Sequence, residues 1–383
     1  MGSERIGRPS ALKRALFSLG ALAAGIFILE TASWAFFYFY ASGRLVYHLR
    51  VDDEEYARSI NNAPSGSLSG SGFDPVLGWE NTSKFTSDPV HGGRNTPCDS
   101  KTVRISSYGD SFTFCQDVND DQTWQYYLSG FTKTKVLNYG VKGYGPDQAL
   151  LKMERDLNSG RRTDIIILAV LSENIARAVN ISPLYYWVTA GGANIKPALV
   201  KENGAFVWRT SHLNDPESPE GRRRIVEAVQ KYDYWHEFNR LRPVIKFPYS
   251  LSLVKTADYL LFRVKRWPDL WKEERPLAVM NEIVRRFHAL SRERGFMPIL
   301  LFIPEAHDLK LKDRGEKASY ATFKEGLVNN GEMSGLVVAD ALDENFETDK
   351  FNIAPYSGHA SAYGNRIIAQ AVHKKLAGIT VFP

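Results

Sequence analysis

Cysteine is nearly missing from this chain: Cys98 and Cys115 are the only two in 383 residues. There is no CxxC and no HExxH, and His91, His236 and His307 lack companions at metal-ligand spacing. Zinc-ribbon, thioredoxin-like and zincin chemistry are thereby excluded, and no metal is expected. No Walker loop, dinucleotide fingerprint or kinase signature occurs either, so no organic cofactor is implied. Basic residues are scattered. The one local run, Arg222, Arg223 and Arg224, reads as a solvated helix face, and a net charge of +5 gives no footprint for nucleic acid.

What the chain does have begins at its N-terminus. Residues 15–40, ALFSLGALAAGIFILETASWAFFYFY, carry Glu30 as their only formal charge. That stretch exceeds the roughly 20 residues needed to cross a bilayer. Arg5, Arg8, Lys13 and Arg14 precede it, so a cytoplasmic tail (1–14), a single-pass inner (plasma) membrane anchor (15–40) and a periplasmic or extracellular main domain are expected. Trp34, Tyr38 and Tyr40 suit the far interface, and Glu30 is expected near that interface or against a partner helix. A cleaved signal peptide is the rival reading. Residues 41–72 read as a linker, with the Ser/Gly-rich 52–72 portion a flexible tether. Both cysteines follow the anchor, where an oxidising compartment favours a Cys98–Cys115 disulfide; free buried thiols are the alternative.

Beyond the tether, short β-branched runs alternate with helical patterns. Strands are predicted at 102–107, 135–138, 164–170, 297–303 and 336–339, and helices near 122–130, 146–158, 276–294 and 361–376. This alternation predicts a three-layer α/β/α, flavodoxin-like domain on a five-stranded parallel sheet, in two parts, 73–176 and 276–383. Between them, 177–275 is an aromatic-rich insertion with Trp187, Trp208, Trp235, Trp267 and Trp271. These aromatics suit a subsidiary core, a carbohydrate-stacking surface or a membrane contact. Within it PALVKENGAFVW predicts a hairpin turning at Asn203-Gly204. The stretch FPYSLSLVKTADYLLFRVKRW reads as a packed amphipathic helix or one lying on the membrane surface.

Four blocks carry the chemistry. SSYGDSFTFC (106–115) ends the first strand, LNYGVKGYGPDQ (137–148) the second and DIIILAVLSENI (164–175) the third; YSGHASAYGNRIIA precedes the last helix. In that order the chain resembles the SGNH/GDSL hydrolase superfamily, as a membrane-anchored bacterial SGNH-fold protein. Its GDSFTFCQDVNDDQTWQYYL and LNYGVKGYGPDQALL are similar to the first two blocks of bacterial members. The resemblance covers about 73–175 and 276–378. It implies Ser111 as nucleophile, His359 as base, and an oxyanion hole from the backbone N–H groups of Ser111 and Gly143 with the side-chain amide of Asn174.

The third block reads Glu173-Asn174, and the positions just before His359 hold Tyr356 and Ser357 instead of aspartate. His359 is therefore expected to be oriented by a backbone carbonyl, by Ser357, or by a carboxylate from elsewhere, with Asp340 one option. Asp110 reads as a turn organiser. Glu173 and Ser357 are accessory candidates, while Glu305 and Asp308 stand at the same sheet edge. The implied activity is a serine esterase or O-acyltransferase acting on acyl esters of a cell-envelope or secreted polysaccharide, with an acylated glycan or acyl donor as substrate. The alternative is a catalytically weakened glycan-binding or assembly component, working beside other envelope polysaccharide-machinery proteins.

Overall fold

The computed structural model describes residues 10–41, 43–45, 48–70, 72–81, 87–186 and 194–379. Trp187, Arg5 and Arg8 lie outside them. Helix α1 (Ala11–Ala35) runs on through a π-turn at Phe36–Ala41, and together they are long and apolar enough to cross a membrane. Helix α2 (Asp53–Asn61) follows, capped by Asp52. Here the tether expectation is corrected. Tyr56 and Ile60 of α2 are buried against the domain, and Arg222 Nη1 donates to the carbonyls of Ile60, Asn61 and Ala63. Glu217 accepts from Leu68 N and Ser69 N at 2.8 Å, so the Ser/Gly stretch too is tied down by hydrogen bonds.

Five parallel strands form the central sheet: β1 (Val103–Tyr108), β2 (Lys135–Asn138), β3 (Ile165–Leu171), β4 (Met297–Ile303) and β5 (Val337–Asp340). Their order is β2-β1-β3-β4-β5, the flavodoxin-like arrangement. The core follows from strand alternation. Ile166, Leu168 and Val170 of β3 face one layer, where helices α5 (Pro146–Asn158) and α8 (Glu274–Arg294) contribute Met153 and Ile283. Ile165, Ile167 and Ala169 face the other, against α4 (Trp124–Thr132) and α9 (Ala362–Ala377), through Trp124 and Ile368. A strand buried on both faces must be apolar throughout, and IIILAVL is.

The insertion packs on the first of these layers. Its hairpin pairs Ala198–Glu202 with Ala205–Arg209, and Asn203 and Gly204 both take positive φ at the turn. Trp235 and Trp271 are buried in that core, with Trp208 and Trp267 packed against it. Helix α7 (Tyr249–Asp258) lies along α1, and its first N–H groups, from Tyr249 and Ser250, donate to the Glu30 carboxylate.

Candidate active site

The turn after β1 sets Ser111 at the sheet's carboxyl edge, where a parallel sheet collects its ligands. Asp110 caps the short helix α3 (Ser111–Phe114): one carboxylate oxygen accepts from Phe112 N at 2.9 Å and Thr113 N at 3.4 Å. Ser111 stands at the first helical position, so no helical carbonyl takes its N–H. Asp110 caps the N–H groups of Phe112 and Thr113, not that of Ser111. Cys115 ends α3 in the left-handed region at φ 60°.

His359 arrives from the other end of the chain, on a hairpin strand, Ser357–Ala360, just before α9. Its Nε2 is 2.9 Å from Ser111 Oγ, and its Nδ1 is 2.6 Å from Asp117 Oδ2. With Nδ1 protonated and donating to Asp117, Nε2 is free to accept the serine proton. The Phe112 ring packs on the imidazole at 4.9 Å between centroids. Serine, histidine and carboxylate thus stand in line.

The group on His359 Nδ1 is a carboxylate from elsewhere in the chain, Asp117, and neither Ser357 nor Asp340. Ser357 is exposed and paired across its hairpin with Ala354; Tyr356 turns the hairpin at φ 54° and donates its hydroxyl to Asp313. Asp340 is buried beneath the sheet edge, accepting from Tyr320 and Lys324. Asp117 was not singled out in the sequence, although it sits in the GDSFTFCQD run itself. The usable signal is an acid shortly after the Ser111 helix, rather than shortly before the histidine.

A second residue missed in the sequence holds this turn. Arg94 is buried, with Nη1 donating to Phe114 O at 2.7 Å and also to Cys115 O, and Nη2 to Val118 O at 2.5 Å. Its Nε pairs with Asp120 at 3.0 Å. One planar guanidinium therefore ties the end of α3 to the residues flanking Asp117.

The expected disulfide is not formed: Cys98 and Cys115 are both free. The left-handed turn at Cys115 directs its thiol inward, toward Phe112 O, Gln125 and Asn365. Burial pushes that thiol up to about 12, which keeps it protonated.

Of the expected oxyanion donors, Asn174 opens a short helix, α6 (Asn174–Ala178), at the end of β3. Its Nδ2 donates to Asp110 Oδ2 at 3.0 Å, which leaves that amide a second N–H. Glu173 is turned aside: it pairs with Arg177 at 2.8 Å and accepts from the Tyr186 hydroxyl. Arg177 also lies 3.7 Å from Asp110. Burial pushes the Asp110 carboxyl up, opposed by Arg177, the Asn174 amide and Phe112 N–H.

Gly143 lies in the loop after β2, with φ 80°. Asn81 braces that loop, donating to Gly140 O at 2.8 Å and accepting from Lys142 N at 3.3 Å. A side chain at Gly140 would stand 2.3 Å from Phe114 N, so this glycine lets the second block close on α3.

Beside His359 is a cleft of about 420 Å³, walled by Phe112, Glu173, Tyr186, Trp267 and Glu305. Glu305 caps the following helix through His307 N, and burial raises its carboxyl. Asp308 instead accepts from Ser319 N in the interior. His91 pairs with Asp88 and His236 with Asp53. Among the described residues no three potential ligands gather around a metal position.

No family model matches this chain. No curated protein matches it. Solved structures do. A structure assigned to the G-D-S-L lipolytic family from Desulfitobacterium hafniense is 11% identical, with a TM-score of 0.37, over 72% of this chain and 99% of that one. A lipolytic G-D-S-L protein from Veillonella parvula is 12% identical, TM-score 0.33, over 73% and 98%. An acetyl xylan esterase from Butyrivibrio proteoclasticus is 11% identical, TM-score 0.32, over 74% and 65%.

Proposed function

We propose that this chain is a serine esterase or O-acyltransferase, with Ser111 as nucleophile, His359 as base and then acid, and Asp117 as the group that orients the imidazole. The observation that carries the reading is the 2.9 Å contact of Ser111 Oγ with His359 Nε2, backed by Asp117 at 2.6 Å on Nδ1. A serine hydroxyl attacks only as a neighbouring base removes its proton. His359 takes that proton while Oγ bonds to the ester carbonyl carbon. The resulting oxyanion is assigned to the N–H groups of Ser111, Gly143 and Asn174. Imidazolium then protonates the leaving alcohol, and the acyl group stays on Ser111. Water resolves it in a hydrolase, a sugar hydroxyl in a transferase.

Asp117 supplies the acid whose absence near His359 supports the alternative, a catalytically weakened glycan-binding or assembly component. The acyl esters of a cell-envelope or secreted polysaccharide suit a domain that follows a span-length helix, read with its N-terminus in the cytoplasm, and Trp267 and Tyr186 line the cleft with aromatic rings suited to a sugar. The test is turnover of p-nitrophenyl acetate by the detergent-solubilised full chain against its Ser111→Ala variant. Loss of at least a hundredfold is expected; equal rates would remove Ser111 from the mechanism.

A further inference from the structure

A second cavity, about 280 Å³, adjoins the catalytic cleft and shares Tyr186 and Trp267 with it as walls. Its far side holds His48, Arg242, Tyr259 and Arg266, and among the described residues no aspartate or glutamate lines it. Arg242 is only 8% exposed. Its Nη2 donates to Tyr185 O at 2.7 Å, whereas Nε and Nη1 are buried without a hydrogen-bond partner. Neither Arg242 nor Arg266 forms an ion pair with a described carboxylate, while the neighbouring Lys265 is taken by Glu273.

A buried guanidinium without a direct ion pair is costly, and a cavity beside it is where an anion compensates. At Arg242 burial outweighs the help of Tyr259 and of Asp233 and holds the guanidinium below its ordinary value; burial, then Arg242 and Arg266, likewise push the His48 imidazole down. Two arginine forks around a small cavity suit the oxygens of a phosphate better than a single carboxylate.

The cavity's position identifies the carrier. His48 comes shortly after the span-length helix ends at Ala41. Tyr259 begins a turn whose Leu261 and Phe262 are 72% and 79% exposed. With Phe247, Leu251 and Val254 they form an apolar strip on and around α7, the helix that packs along α1 and binds Glu30 through its first N–H groups. Apolar surface continuous with a membrane span belongs at the lipid interface, where headgroup phosphates lie.

We infer that this cavity is a subsite for the phosphate of a membrane lipid, gripped by Arg242 and Arg266, which sets a lipid-borne molecule beside the cleft at His359. Its link to catalysis rests on the esterase reading; its ligand chemistry does not.

The experiment therefore measures binding alone, on the full-length Ser111→Ala protein in a neutral detergent. Quenching of tryptophan fluorescence is followed, since Trp235 and Trp267 stand in the cavity wall. Dihexanoyl phosphatidic acid should bind saturably, and at least tenfold more weakly to Arg242→Gln and Arg266→Gln. Arg266 is exposed, so its variant keeps the test valid should Arg242→Gln fail to fold. Inorganic phosphate binding as tightly as phosphatidic acid would keep the anion subsite and overturn the lipid as its carrier. Dihexanoyl phosphatidylcholine binding equally well, no saturable signal with either anion, or unchanged affinity in Arg266→Gln would overturn the subsite.

Discussion

His359 Nδ1 stands 2.6 Å from Asp117 Oδ2, and Asp117 belongs to the turn following α3, the helix that carries Ser111, not to the histidine's own hairpin. Ser111 and Asp117 therefore share one short segment, and only His359 comes from a distance. An error in that segment displaces two members of the site together.

Replacing the acid tests this arrangement most directly. Asp117→Asn should lower kcat on p-nitrophenyl acetate by on the order of 10²–10⁴ with KM little changed, because the amide no longer holds the required tautomer or stabilises imidazolium. The lower end is expected, since the Asp117 side chain is 41% exposed and water can partly replace it. Asp340→Asn should leave kcat within about threefold and lower the denaturation midpoint instead, its partners being Lys324 and Tyr320. Steady-state kinetics beside urea unfolding distinguish the two; a kcat unaffected by Asp117→Asn would remove it from the site.

Arg94 should behave as a positioning residue. Arg94→Met strands the buried carbonyls of Phe114 and Cys115, at a cost of about 2–4 kcal/mol, and should reduce kcat roughly tenfold or more by loosening the Asp117 turn. Arg94→Lys should restore little, since one ammonium cannot span the carbonyls that the planar fork reaches. Wild-type kcat in the lysine variant would show that the clamp is not needed for alignment.

The order Glu173-Asn174 makes opposite demands on the two residues. Asn174→Ala should lower kcat by about 10²–10³, the usual cost of one oxyanion donor. Glu173→Gln should change it no more than about threefold for a small ester, because Glu173 is turned toward Arg177 and Tyr186. If kinetics place the larger loss at Glu173, the donor assignment fails.

Asp88 contributes to the pH dependence of folding. Its carboxyl sits at about 2: burial raises it, but the Lys135 ammonium at 2.5 Å and the N–H groups of His91 and Val90 more than offset that. A depressed carboxylate contributes stability above its unfolded value near 4 and loses it as pH falls through its folded value. The wild type should therefore lose stability between about pH 4 and pH 2. Asp88→Asn should be less stable at pH 7 by roughly 1–2 kcal/mol and show a flatter acid limb. Chemical denaturation across that range reads both effects; an unchanged limb would assign the acid sensitivity to other carboxylates.

Much of the fold was legible because periodicity is local. The run IIILAVL could bury on both faces only within a parallel sheet, and Pro146–Asn158 carried its own start signal and amphipathic spacing. Asn203-Gly204 named its hairpin because both residues tolerate positive φ. The 52–72 stretch misled because composition does not register a few anchoring contacts: Tyr56, Ile60 and the Glu217 and Arg222 side chains hold it to the domain.

The chain order by itself determined the sheet, the span-length helix and the placing of Ser111, Gly143, Asn174 and the approach to His359 at one sheet edge. Strands of a parallel sheet deliver their carboxyl ends to the same side whatever the loops contain. Only tertiary structure decided which carboxylate meets His359, which way Cys115 and Glu173 turn, and that Arg242 is buried without an ion pair to a described carboxylate. Those outcomes depend on side-chain direction across large separations in sequence, where a left-handed turn or one arginine clamp reorients a group and leaves no periodic trace.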